Sequence, residues 1–338
     1  MKILLYSDLH LREDRLDDAI FVLNEVRDIA VSRGIKKLIN GGDTFNTRGV
    51  IRTRCLRALY DAYAIYASTG LEQTILVGNH DQEDRAGLIH PMKIFEQFKG
   101  WFVADEPRTI GGIAFIPYVE PKKVEAFLSR VKPITARTGV AVVHLGIKGA
   151  MINDWRADTE GIPAKWFSKF KRVFSGHYHY RNAFDNVQYI GSPYQQTHAE
   201  AGQEKGVLIY DTISGVIEFV EIKGTPKHYD IKTYWEDGKQ KWEKSKDITD
   251  KDFVRVMAVG EAEQVSKLNQ AVLHKKFKCA GLKIHRDVVA KSVSRMNIGA
   301  NEIYDKPGLM KKYVEFVDTE LDRKKIIKVG EDIINATL

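Results

Sequence analysis

Cysteine is nearly absent from this chain of 338 residues, which holds only Cys55 and Cys279. Two thiols so far apart build neither a disulfide framework nor a Cys-based zinc site, and such usage suits a reducing compartment. Both are expected to be packing residues. Long apolar runs are missing as well. The longest, such as Thr74–Gly78 and Gly139–Val143, fall far short of the roughly 20 residues that cross a bilayer, so no membrane partner is expected. The opening Met1–Asp8 meets a charge after a short apolar stretch and offers no small-residue cleavage site. A signal peptide is therefore not expected, and a cytoplasmic location is. Internal repeats and low-complexity tracts are absent too.

What remains is ordinary globular material: 43% hydrophobic and 29% charged side chains, in a chain long enough for more than one core. The net charge of +7 is a modest basic excess. Its location says more than its size. Ten basic and five acidic residues fall between Asp250 and Ala300, a local excess of +5. Such a cluster is either a solvated face or a patch for a polyanion.

Short β-rich runs alternate with helical ones up to about Thr225. The periodicity predicts strands at Lys2–Ser7, Lys37–Asn40 and Thr74–Val77, and helices at Leu16–Arg33 and Thr53–Ser68. Strands then dominate: Ile113–Pro117, Val140–His144, Arg172–Ser175, Val187–Ile190, Gly206–Asp211 and Val216–Ile222. Packed sheets with helices outside are the economical architecture. Thr233–Lys251 is polar and reads as a boundary region. Beyond it a β-α-β module is expected, with strands at Phe253–Val259 and Lys283–Val289 around a helix at Glu261–Phe277. Two apolar-striped helices, Leu309–Leu321 and Arg323–Ala336, close the chain. So short a hairpin must dock on its own chain or on another.

The chemistry-bearing residues sit just past strand ends. Asp8-Leu9-His10 follows the first strand, and in an extended chain residues two apart project to one side. Gly41-Gly42-Asp43 follows the second, and Gly78-Asn79-His80-Asp81 the third. His144 ends a later strand, and Gly176-His177-Tyr178-His179 another. Open α/β sheets place their sites at such ends, with glycines permitting close approach. Five of the ten histidines lie in these segments; His90, His198, His228, His274 and His285 lack ligand-like neighbours. Imidazole, carboxylate and amide donors without thiolate suit manganese, iron or zinc. Seven donors are too many for one ion. Two metals about 3.5–4 Å apart would clamp the attacking and leaving oxygens of a phosphoryl displacement.

The ordered set Asp-x-His, Gly-Asp, Gly-Asn-His-Asp, His, Gly-His-x-His resembles the calcineurin-like metallophosphoesterase superfamily over roughly residues 1–225. Within it the chain looks like the SbcD-type nuclease subunits of double-strand-break-processing nuclease-ATPase complexes, in a short version like those of tailed phages. Ile116-Pro117-Tyr118, Gly191-Ser192-Pro193-Tyr194, Glu204-Lys205-Gly206 and the order of module and tail carry that narrower resemblance. It implies an α/β fold: a metallophosphoesterase β-sandwich with flanking helices, plus a small β-α-β capping domain and a C-terminal helical hairpin. The expected domains are a nuclease domain over 1–225, a DNA-capping domain over 226–300, and a helical segment over 301–338 that binds an SbcC-like coiled-coil ATPase.

The resemblance further implies that Asp8, His10, Asp43 and His179 hold one divalent ion. Asp43 bridges to a second, completed by Asn79, His144 and His177. Manganese is the expected metal, with magnesium an alternative. His80 then faces the scissile phosphate and protonates the leaving oxygen, while Asp81 either orients that imidazole or caps a turn. Where cellular relatives often carry a second histidine, three residues after the bridging aspartate, this chain has Asn46. Asn46 can hydrogen-bond a phosphate without donating a proton as imidazolium does, which bears on the balance of exonuclease and endonuclease activity.

Arg12, Arg15, Arg48 and Arg52 follow the first two motifs and, from charge, are expected to contact DNA at the metal mouth. Apolar residues on Thr53–Ser68 and on an expected helix at Ala86–Phe98 suit either the homodimer this family forms or the monomer core. The implied work is DNA recombination, repair and replication-linked end processing, in the host cytoplasm if the chain is phage-encoded. A small-substrate phosphodiesterase or phosphatase, and a non-catalytic scaffold, are the alternatives. A scaffold would be expected to have lost ligands, and none of the positions has been.

Overall fold

The structure, a computed structural model, describes residues 1–83, 89–123, 139–243, 247–288 and 324–329. The chain divides into two compact units, one comprising Met1–Tyr229 and Thr249–Phe253, the other Asp230–Ile248 and Val254–Leu338.

Strand β1 (Lys2–Tyr6) shows how the first unit is layered. Ile3 and Leu5 enter one apolar cluster, Leu4 and Tyr6 another, and all four are buried. A strand apolar on both faces belongs in the middle of a layered structure. Helix α1 (Leu16–Ser32) covers one face with the stripe Leu16, Ala19, Val22, Leu23, Val26 and Ala30. After β2 (Lys37–Asn40), α2 (Thr53–Ser68) joins it on that face through Leu59, Tyr63 and Tyr66. Strands β3 (Glu72–Leu76) and β4 (Phe102–Ala104) continue the sheet in parallel.

A second sheet is built from β5 (Arg108–Ile110), β6 (Ile113–Ile116), β7 (Val140–His144), β10 (Arg172–Gly176), β11 (Ala183–Phe184) and β12 (Val187–Tyr189), while β8 (Met151–Asn153) and β9 (Arg156–Ala157) form a separate hairpin. Strands β13 (Gly206–Asp211) and β14 (Ile217–Glu221) return to the first sheet, β13 antiparallel to β1. The orders are β14-β13-β1-β2-β3-β4 and β11-β12-β10-β7-β6-β5. Ile3, Leu5, Ile39 and Leu76 of the first sheet meet Phe115, Val142 and Phe174 of the second in one buried cluster. Phe167 and Phe170 close the second sheet's outer face. The result is an α/β sandwich in which β1, β2, β3, β7 and β10 all end in loops that carry the motifs.

The second unit holds a four-stranded sheet in the order β16-β15-β17-β18. Its strands are β15 (His228–Glu236), β16 (Lys239–Trp242), β17 (Phe253–Gly260) and β18 (Gly281–Val288). Here the sequence reading needs correction. The polar boundary expected over Thr233–Lys251 is largely a β-hairpin: Glu236 pairs with Lys239 across the two-residue turn Asp237-Gly238, both at positive φ. Ile231 and Thr233 point inward while Lys232, Tyr234 and Glu236 point to solvent, so the charges belong to one face of a strand. The single helix expected over Glu261–Phe277 is two, α3 (Ala262–Ser266) and α4 (Gln270–Phe277). The Asn269 side chain accepts from Ala271 N and Val272 N and restarts the helix.

Of the helix expected at Ala86–Phe98, residues 86–88 lie outside the described residues and Pro91–Gln97 is a 3-10 turn. The tail after Pro307 also lies outside them, except for 324–329, which are helical. Among the described residues, no helix is long and apolar enough to cross a membrane.

Phe174 is fully buried between the sheets. Replacing it with alanine should lower unfolding stability by about 3–5 kcal/mol in a urea titration. Ile213→Ala, at a side chain 84% exposed, should leave the midpoint unchanged.

Candidate metal centre

The loop after β1 departs from the expected extended chain. Asp8 and His10 both adopt positive φ, +57° and +47°, as do Asp43 (+52°) and His177 (+88°). Non-glycine residues are rarely held there, and such strain gathers at functional sites. Asp8 and His10 therefore converge through a turn, pinned by Asp8 N donating to Gly42 O (2.9 Å) and His10 N to Asp43 O (3.0 Å). Glycine is required where the loops press together: a Cβ on Gly78 would lie 2.2 Å from Asp43 Oδ1, and one on Gly42, itself at φ +103°, 2.6 Å from His144 Nδ1.

The structure brings all seven expected donors together. His10 Nε2 and His179 Nε2 face each other at 3.0 Å. Asp43 Oδ2 lies 3.7 Å from His10 Nε2 and 3.3 Å from His144 Nε2. The Asn79 amide oxygen stands 3.2 Å from His144 Nε2 and 2.9 Å from His177 Nδ1. Asp8 accepts from His177 N at 3.0 Å. Three groups, Asp8 with His10 and His179, His10 with Asp43 and His80, and Asp43 with His144 and His177, each offer donor atoms within 4.8 Å of one another. Nitrogen and oxygen lone pairs aimed at common points, with no thiolate, fit divalent cations of the manganese, iron and zinc class.

Electrostatics favour the same chemistry. Burial and neighbouring imidazoles hold His10 and His177 down at about 3, so at neutral pH their nitrogens are free of an extra proton. Burial also opposes charge on His144, but the Asp43 carboxylate outweighs it and raises His144 to about 9. Asp43 correspondingly lies far below the usual carboxylate range despite its burial. A cation bound between them replaces that proton.

The histidines are oriented by a further set of groups, of which Glu200 lies outside every motif the sequence offers. His144 Nδ1 donates to Gly41 O (2.8 Å), directing Nε2 inward. His179 Nδ1 donates to Glu200 Oε1 (3.0 Å). Glu200 is buried, and its other oxygen meets Lys205 Nζ (2.8 Å) and Ser192 Oγ (2.9 Å), while Lys205 also donates to His179 O (2.7 Å). Ser192 and Lys205 fall in segments the family resemblance singled out; Glu200 carried no local signal.

His80 is half-buried beside the cluster. Its N donates to Asp43 Oδ1 (2.8 Å), and its Nδ1 donates to Asn46 O (2.7 Å), while the ring offers a nitrogen within 4.8 Å of donors on His10 and Asp43. Asn46 thus acts on His80 through its backbone carbonyl. Asp81 does not orient His80. Its carboxylate accepts from Thr44 N (2.8 Å), Phe45 N (3.0 Å) and Gly78 N (3.0 Å), which is the turn-capping alternative. Burial, then the charge of Asp43, pushes its carboxyl up to about 7.

Arg15 must also be withdrawn from the expected mouth. It is buried, bonded to Asp18 and to Gln195 O (3.4 Å), and packed 4.8 Å from the Phe253 ring centroid. Arg12 is half-exposed and pairs with Asp14 at 3.1 Å. Arg48 and Arg52 are exposed, Arg52 lying 3.6 Å from Glu13.

Residues 1–181 match the family model of calcineurin-like phosphoesterases. Exonuclease subunit 1 of Enterobacteria phage T4 is 25% identical over 232 residues, covering 65% of this chain and 67% of that protein. DNA double-strand break repair protein Mre11 of Sulfurisphaera tokodaii is 28% identical over 219 residues, covering 57% of this chain and 54% of that protein. Its namesake from Sulfolobus acidocaldarius is 26% identical over 197 residues, covering 54% and 50%. The chain thus spans about half the length of the two archaeal relatives.

Groups that orient a metal-binding histidine typically carry 10- to 100-fold of the metal affinity. Glu200→Gln should weaken manganese binding by about that factor in a calorimetric titration while the protein stays folded. Unchanged affinity would mean that Glu200 only packs the loop.

Proposed function

The chain belongs to the calcineurin-like phosphoesterase family, and from that premise we propose that it is a DNA nuclease hydrolysing phosphodiester bonds with two divalent ions, manganese foremost. The observation that carries the reading is the convergence of six donors around Asp43 with His80 beside them. Asp8, His10, Asp43 and His179 would hold one ion, and Asn79, His144 and His177, with Asp43 shared, would hold the other. Bound there, two cations would supply charge neutralisation at the phosphate and polarisation of the reacting oxygens.

The chain's own residues do the rest. His80, its Nδ1–H held by the Asn46 carbonyl, presents Nε2 toward an incoming phosphate and delivers a proton to the leaving oxygen. Glu200 and the Gly41 carbonyl keep His179 and His144 in register. Asp81 locks the loops that carry Asp43 and His80 to each other. Arg12, Arg48 and Arg52 offer guanidinium groups to the DNA backbone.

The names of the relatives support DNA as the substrate: one is an exonuclease subunit and two are double-strand break repair proteins. We take the activity as 3′–5′ exonuclease on duplex DNA with single-strand endonuclease, in a complex with an SbcC-like coiled-coil ATPase engaged by the tail after Pro307. Exposed Ile65, Ile89 and Ile94 support a homodimer through the α2 side of the first unit. The processes it serves are recombination, repair and replication.

A duplex oligonucleotide labelled at either end tests the reading. Shortening from the 3′ ends is expected with manganese, lost in chelator and in Asp8→Ala. His80→Gln should slow it about 10²- to 10⁴-fold with metal content unchanged. Hydrolysis of a small phosphodiester by protein that leaves DNA intact, even with the ATPase present, would favour a small-substrate enzyme.

A further inference from the structure

Next to the metal centre lies a cavity of about 380 Å³ that shares His177 with it. Its walls bring together the rings of Tyr118 and Tyr178 and the apolar side chains of Leu145, Ile152 and Ala157. The volume falls in the low range of pockets for small molecules, about 300–1,000 Å³. A phosphate alone would fill little of it, and the charged part of the lining, Asp158 and Glu160 beside Arg156, carries no excess of positive charge to hold an anion. What suits it is a flat, partly apolar group covalently attached to a phosphate that sits on the metals.

The rings are fixed before anything binds. Tyr118 N donates to Val77 O (2.9 Å), and Tyr118 O accepts from Gln82 Nε2 (3.1 Å), tying that residue to the loop after β3. The Tyr178 hydroxyl donates to Asp158 Oδ2 (2.7 Å), and its ring stacks on Tyr189 with centroids 5.3 Å apart. Asp158 Oδ1 is occupied by Glu160 N (2.9 Å) and Gly161 N (2.7 Å), so the buried carboxylate is satisfied within the wall. The exposed Arg156 adds a positive charge at the rim. The Tyr118 and His177 ring centroids are 6.0 Å apart and the planes tilted by 30°, forming an aromatic wall that leads from the cavity to the metal ligands.

We propose that this cavity is a nucleobase subsite, taking the base of the nucleotide adjacent to the scissile phosphate. The inference rests on the phosphodiester reading of the metal centre. Aromatic faces stack on any base, so the subsite accepts all four while rejecting esters that lack one. A strand bound this way has its base turned out of the helical stack, which favours ends and single strands over intact duplex.

The test compares manganese-dependent hydrolysis of thymidine 5′-(p-nitrophenyl phosphate) with that of bis(p-nitrophenyl) phosphate, which has no base. Ala157→Trp, which fills the cavity, and Tyr118→Leu, which removes a ring, should each lower the ratio of the two kcat/KM values about tenfold, the loss of one stack. In parallel, calorimetric titration of the metal-loaded protein should show thymidine monophosphate binding more tightly than deoxyribose 5-phosphate, with the difference lost in Ala157→Trp. Unchanged ratios and equal affinities would overturn the subsite while leaving the phosphodiesterase intact. Failure to hydrolyse either ester would count against the phosphodiester reading, and the titration would still decide the cavity.

Discussion

Asp43 is 2% exposed and keeps its negative charge inside the sandwich. An ionised carboxylate so placed is costly unless other groups answer it. The answer here is structural. His80 N binds one oxygen, and His144 and His10 stand against the other. Gly42 and Gly78 yield the space that lets two more loops reach it. The strained backbone at Asp8, His10, Asp43 and His177 follows from the same demand, since the three loops after β1, β2 and β10 must turn sharply to meet at one anion.

The surrounding layers exist to hold those turns still. β1, β2 and β3 end side by side in one sheet, β7 and β10 in the other, and the buried cluster between the sheets fixes one set of loops against the second. Asp81 adds a local lock: one carboxylate joins the backbone after β2 to the backbone after β3 through three hydrogen bonds. Glu200 and Lys205 do the same for the loop after β10, as a buried ion pair whose members both touch His179. Buried charge in this protein therefore serves placement more than stability.

Much of this was legible in the sequence because strands buried on both faces read as short apolar runs, and the motifs follow their ends directly. β2, α2, β7 and β13 have the bounds the periodicity predicts. The donors were legible for the same reason, each lying at the end of a run or within four residues of it. What stayed hidden depends on partners distant in the chain. Glu200 meets His179 across 21 residues and Gly41 meets His144 across 103, with no local pattern to announce either. Arg15 looked like a surface cation until Tyr194 and Phe253, far along the chain, closed over its guanidinium. The hairpin of β15 and β16 was hidden differently, because lysines on its solvent face masked the alternation beneath.

The central claim is that two cations sit on either side of the Asp43 carboxylate. Anomalous scattering from a manganese-soaked crystal, recorded at the manganese edge, addresses it most directly. The account predicts two peaks about 3.5–4 Å apart, one among Asp8, His10 and His179 and one among Asn79, His144 and His177. A single peak, or manganese bound only away from Asp43, would contradict it.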